Sequence, residues 1–151
     1  MAVSGAYYGE SAGRDPMRWG PDSSRRARAV ELWAALRCLG RRGIGEQIER
    51  TCRLAARFAE GLRQAGHEIL NDVVLNQVLV SFGPDRLTDG VIRAIQNDGI
   101  CWCGGTTWHG RKAMRISVSS WATTAADIDI CLEAVDKAYR RCAQVRFVAF
   151  K

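Results

Sequence analysis

The sequence predicts an α/β domain in which two leading helices precede a short, mostly antiparallel sheet with helices on one face. Three observations carry this expectation. Apolar residues recur at helical spacing through residues 23–66. Between residues 67 and 119, short segments rich in β-formers alternate with turn signals. The loops joining those segments are too short for repeated crossovers, so neighbouring strands are expected to run antiparallel. At 151 residues the chain can bury a sizeable core as one domain and is too short for two.

The elements are read in chain order. Residues 1–22 hold Gly5, Gly9, Gly13, Gly20, Pro16 and Pro21 and are expected to form a loop or arm. Asp22 or Ser23 is the expected N-cap of a first helix, with Val30, Trp33, Ala34 and Leu36 on its apolar face and its end at Leu39-Gly40. Arg41-Arg42-Gly43 is the expected break. A second helix carries Ile44, Ile48, Cys52, Ala55, Phe58, Ala59 and Leu62 as one stripe, closed by Gly66.

Strands are predicted at Glu68–Leu70, Asn76–Phe82, Ile100–Cys103 and Ala113–Ser119. Gly104-Gly105 is read as a break or bulge and His109-Gly110 as a turn. A helix from about Thr88, with Leu87, Val91, Ile92 and Ile95 apolar, stops at Asn97-Asp98-Gly99. Thr124-Ala125-Ala126-Asp127 is a capping-box variant. It opens a helix that buries Ile128, Cys131, Leu132, Val135 and Ala138. Residues 67–143 thus form a small α/β domain behind the two connecting helices of 23–66, and 144–151 is a tail.

Composition narrows the class. Hydrophobic residues at 47% and charged residues at 25% describe a globular chain and exclude disordered and collagen-like classes. No apolar run approaches a membrane span, and no secretory leader is visible, so a cytoplasmic location is expected. The net charge is +6, and Arg outnumbers Lys 19 to 3. Twelve Arg against seven acids fall in residues 1–63. That excess suits an intersubunit or interdomain helix surface better than a nucleic-acid face. The six cysteines show no C-x-x-C and no finger spacing with His67 or His109, so free thiols and no metal are expected. The two thiols of Cys101-Trp102-Cys103 are expected on one face of a strand. No P-loop, G-x-S-x-G or H-E-x-x-H is present.

Four blocks in order carry a resemblance. They are Arg14-Asp15-Pro16-Met17-Arg18-Trp19-Gly20-Pro21-Asp22-Ser23-Ser24-Arg25-Arg26-Ala27-Arg28-Ala29, Trp33-Ala34-Ala35-Leu36-Arg37-Cys38-Leu39-Gly40, Asn71-Asp72-Val73-Val74-Leu75-Asn76-Gln77-Val78, and Met114-Arg115-Ile116-Ser117-Val118-Ser119 with Thr123-Thr124 and Asp127-Ile128. Together they resemble the group II pyridoxal-phosphate-dependent amino-acid decarboxylases, which include the glutamate, aromatic-amino-acid and 2,4-diaminobutyrate enzymes. The resemblance covers the last third of such an enzyme. It implies the C-terminal small domain of a fold-type-I enzyme that releases carbon dioxide from an L-amino acid. The cofactor would be pyridoxal phosphate, the electron sink of that chemistry.

The resemblance places the Schiff-base lysine in the preceding large domain. No catalytic residue is therefore assigned in this chain, and Lys112, Lys137 and Lys151 are not taken as that lysine. The chain is expected to be an inactive fragment of a homo-oligomeric enzyme. The resemblance implies Arg115, on the polar face of its strand, as the substrate-binding residue, a role its planar fork suits because it can bind a carboxylate through two parallel hydrogen bonds. A structural ion pair is the competing role. Ser24 and Arg25 match a loop near the cofactor phosphate and are the expected cofactor-binding residues, against a plain N-cap with solvated arginine. Gly104 and Gly105 could let backbone approach the substrate loop, with a strand bulge as the plainer reading. His109 is read as a turn residue, and Trp33 and Trp108 as core or interface. The alternative function is a basic, non-enzymatic binding module, with nucleic acid as its candidate partner.

Overall fold

A computed structural model describes residues 26–148, with side chains described through Gln144. The arm at 1–22, the Asp22 or Ser23 cap, Ser24 and Arg25 lie outside the described residues. The chain divides into two compact units between Arg41 and Arg42.

In the first unit the described residues begin helix α1 (Arg28–Gln64). All of them are exposed, including Val30, Trp33 and Leu36. Arg26 pairs with Glu31, and the Arg37 guanidinium stands 6.0 Å from the centre of the Trp33 ring. Helical dihedrals fail within α1 at Gly40 (φ 61°, ψ −176°), one residue before the predicted Arg41-Arg42-Gly43 break. A side chain would make that backbone combination costly, which is why the interruption falls on glycine.

The second unit takes the remainder of α1, then β1 (Glu68–Ile69), β2 (Gln77–Ser81), α2 (Asp85–Asp98), β3 (Gly104–Trp108), β4 (Arg111–Ser117) and α3 (Ala125–Val148). The strands form one antiparallel sheet in the order β1-β2-β4-β3. Val78 lies opposite Ile116 and Val80 opposite Met114. These four residues are buried with Phe58 and Leu62 of α1, Val91, Ile92 and Ile95 of α2, and Ile128, Val135 and Ala138 of α3. The predicted helical stripes are therefore the core, except that the α1 stripe is covered only from Thr51 onward; Ile48 is exposed.

Two local devices set the element ends. His109 (φ 47°) and Gly110 (φ 79°) both take positive φ, the pattern of the two-residue hairpin turn that suits strand twist. At the start of α3, the Thr124 N–H donates to Asp127 Oδ2 at 2.7 Å, and the Asp127 N–H donates to Thr124 Oγ1 at 3.3 Å. The predicted capping box is thus built, and its hydrogen bonds hold the Asp127 carboxyl below the usual range.

Three sequence expectations are corrected. Ile100–Cys103 is not a strand, and Gly104-Gly105 does not break one: the strand is Gly104–Trp108. The hairpin turn fixes Trp108 opposite Arg111, and the ladder then runs back to Gly104 opposite Arg115. Beyond that point the Cys103 carbonyl accepts from the Gln96 side chain at 2.8 Å, and the segment leaves the ladder. Helix α2 starts at Asp85 rather than Thr88, because Pro84 takes the cap position and Asp85 places an acid in the first turn. Helix α3 continues to Val148, through part of the expected tail.

His67 is buried edge-on between Phe82 and Tyr139, with ring centres 4.7 Å away on each side. Burial lowers its pKa from the ordinary 6.5, and the nearby Asp136 only partly opposes this. The unfolded chain therefore takes up the proton first as pH falls. Stability should be full above pH 6.5 and should decline as pH drops below it toward the folded value. Urea melts between pH 8 and 5 should show this decline, and His67→Phe should flatten it. Leu62, at 1% exposure, fills the centre of the core. Leu62→Ala should cost about 3 kcal/mol by the same urea measurement at neutral pH.

Candidate functional site

Alternation along β4 buries Met114 and Ile116 and leaves Arg115 and Ser117 exposed. A one-residue slip would reverse both sets, so the apolar pair dictates where Arg115 points. Arg115 lies opposite Leu79 of β2 on one side and Gly104 of β3 on the other. Nothing lies within 4 Å of where a Gly104 side chain would begin. The space beside the Arg115 position is open because this neighbour is glycine.

The charges on this sheet face are treated unequally. Arg111, four residues before Arg115 on the same strand, donates to both Glu68 oxygens at 2.8 and 2.5 Å. That pair ties β1 to β4 and holds the Glu68 carboxyl below its ordinary range. Away from the sheet, on the helices, Arg57 pairs with Asp129 and Arg141 with Asp98. Arg115 makes no salt bridge among the described residues. At the end of the same face, the Gln77 side-chain amide donates to the Ser117 hydroxyl at 3.3 Å. The arrangement offers an exposed cation beside an opening and next to uncharged polar groups, which suits an anion.

A cleft of about 250 Å³ opens from the other side of β4. Its lining includes Met114, Ile116, Phe58 and Ile128, together with Cys101, Cys103 and Cys131. Among the described residues, no group of His, Cys, Asp and Glu is placed to hold a metal ion. Trp102 projects outward at 77% exposure between the two inward cysteines.

The other residues singled out from the sequence fall as follows. Gly105 stands over Ile92, whose Cδ1 is 3.6 Å from where a β-carbon would be. His109 packs edge-on against Trp108 in the turn. Trp33 and Trp108 are both exposed. Lys112 lies on β4 and Lys137 on α3, both exposed and neither lining the cleft. Sequence reading missed Gly104 as the neighbour of Arg115. Counting outward from the two-residue turn at His109-Gly110 would have found it.

Residues 2–83 match the pyridoxal-dependent decarboxylase conserved domain. The chain belongs to that family. It is 31% identical over 117 residues to histidine decarboxylase of Drosophila melanogaster, covering 76% of this chain and 14% of the fly protein. It is 29% identical over 124 residues to the Mus musculus histidine decarboxylase, covering 81% of this chain and 19% of the mouse protein. The chain thus spans under a fifth of the length of these relatives.

The fold is shared with solved decarboxylases. Catharanthus roseus tryptophan decarboxylase in complex with L-tryptophan superposes with a TM-score of 0.70 at 20% identity, covering 82% of this chain and 28% of that one. Oryza sativa TDC with PLP and tryptamine gives 0.71 at 18% identity, covering 80% and 28%. The family implies pyridoxal phosphate in the complete enzyme. Of the two described lysines, neither Lys112 nor Lys137 lines the cleft beneath β4.

Proposed function

We propose that this chain is the C-terminal small-domain portion of a pyridoxal-phosphate-dependent amino-acid decarboxylase. The complete enzyme would release carbon dioxide from an L-amino acid. Family membership supports the reaction class. The observation that carries the reading into this chain is Arg115: exposed, without a carboxylate partner among the described residues, and beside the opening at Gly104. We assign Arg115 to a carboxylate of the substrate. Two parallel N–H···O bonds from its fork would fix that group in position and orientation. Ser24 and Arg25 are assigned to the cofactor phosphate. The complete protein is proposed to be a cytoplasmic homodimer, and the exposed Val30, Trp33 and Leu36 suit a surface that another body covers.

The competing role for Arg115 is structural. The test grafts residues 67–143 into a complete relative and then changes Arg115 to Lys or Met. Losing a desolvated charged contact should lower kcat/KM by roughly 100-fold with little change in Tm. An unchanged kcat/KM with a large drop in Tm would assign Arg115 to the scaffold.

The isolated chain should not fix the cofactor covalently. After pyridoxal phosphate and borohydride, peptide mapping should find no stoichiometric adduct. Complete labelling of one residue among Lys112, Lys137 and Lys151 would overturn the placement of the reactive lysine outside this chain.

A further inference from the structure

A second cleft, of about 240 Å³, lies between the end of α1 and α3 and uses no residue of the Arg115 face. The closure of α1 delivers His67 to it. Gly66 takes positive φ (84°), its N–H donates to the Arg63 carbonyl at 2.9 Å, and the His67 N–H donates to the Leu62 carbonyl at 3.0 Å. This pair of bonds is a Schellman closure, and it fixes the backbone of His67. The edges of Phe82 and Tyr139 then fix the ring.

His67 is 8% exposed, yet its ring makes no hydrogen bond or ion pair among the described residues. Its nitrogens are not sealed in either, because no described polar side-chain atom is both buried and without a partner. The polar edge of a clamped ring therefore opens on the cleft that the ring lines. Glu133 and Asp136 line the same cleft from α3 and, three residues apart, share a face of that helix. Arg140 pairs with Asp136 at 3.0 Å, whereas Glu133 makes no ion pair among the described residues. Leu62, Ala65 and Leu132 add an apolar wall. Leu132 can lie there because residue 61 is glycine: a β-carbon at Gly61 would collide with its side chain.

We propose that this cleft binds a primary ammonium ion carried on a short apolar body, such as an arylalkylamine. The polar groups are acceptors that converge from two elements: two carboxylates and an imidazole that burial keeps neutral at neutral pH. An ammonium offers three N–H donors and no acceptor, so its needs match that set. Its carbon body rests on Leu62 and Leu132. The two carboxylates repel an anionic ligand. A metal ion needs donors within about 2.1 Å, and among the described residues none are grouped that closely. An ammonium spans a wider gap, because each of its hydrogen bonds reaches about 2.9 Å. The chain as a whole carries a charge of +6, so general attraction would not gather a cation here.

Arg140 is the internal competitor. Its pairing with Asp136 is exposed and spans one helical turn, a kind of contact that contributes little. Removing it leaves Asp136 to the ligand.

The test titrates the full chain, isotopically labelled, with 2-phenylethylamine at about pH 7.5, where the amine is charged and the imidazole neutral. Ionic strength is held constant. Saturable NMR shifts on the His67 ring and the Leu62 and Leu132 methyls are expected. The alcohol 2-phenylethanol has the same body without the charge and should bind at least about tenfold more weakly. Glu133→Gln should weaken the amine about threefold, and Arg140→Gln should tighten it by a similar factor. His67→Phe keeps an aromatic ring between Phe82 and Tyr139 and should weaken binding. The wild-type titration locates the site even where a variant does not fold. Shifts that never saturate, equal binding of the alcohol, or shifts centred on the cleft beneath β4 would overturn the proposal. So would affinities unchanged in both Glu133→Gln and Arg140→Gln.

Discussion

Pairing of β2 with β4, with Val78 set against Ile116 and Val80 against Met114, is the constraint on which the rest of this structure depends. Those four side chains are the floor on which α2, α3 and the second part of α1 pack. Burying them takes apolar area out of water, the term that drives the packing. The same register puts Leu79 opposite Arg115 on the other face. One hydrophobic decision therefore closes the core and aims the cation. Changing the register would cost the core before it cost the site.

The edge strands add what the central pair lacks. Strand β1 is only two residues long, and a bidentate ion pair from Glu68 to Arg111 reaches from it across to β4. An exposed pair of this kind contributes little to stability, and its use here is to neutralise one of two arginines on the face. Arg115 is left as the open cation because no acid stands opposite it: the register gives it Leu79 and Gly104. At the other edge, the tight turn at His109-Gly110 sets where β3 starts and, by counting, where it ends. Glycine beside Arg115 is thus a consequence of turn position together with composition.

Much of this was legible in the sequence. Alternation through Met114-Arg115-Ile116-Ser117 gave the facing of Arg115, and Thr124 with Asp127 gave the start of α3. The helical stripe from Ala55 to Leu62 gave the buried face of α1. What could not be read was competition between partners. Cys101-Trp102-Cys103 alternates as a strand should, and its cysteines do face inward. Yet the Gln96 side chain takes the Cys103 carbonyl, and the segment does not join the ladder. Hydrogen-bond ownership of that kind depends on α2 and the loop meeting in three dimensions, which periodicity does not encode. Ser24 and Arg25 were legible only through family resemblance, and they lie outside the described residues.

The same segment explains why one small domain carries two different kinds of polar chemistry on opposite sides of β4. Because residues 99–103 leave the ladder, Cys101 and Cys103 line the cleft together with Cys131 of α3, while Gly104 begins the pairing that opens space beside Arg115. A regular strand from Ile100 would have continued the ladder toward Ser117 and committed the backbone at Cys101 to β4. The irregular lead-in thus separates the two faces. On one side it leaves three cysteines lining an apolar cleft, and on the other a cation exposed beside a glycine.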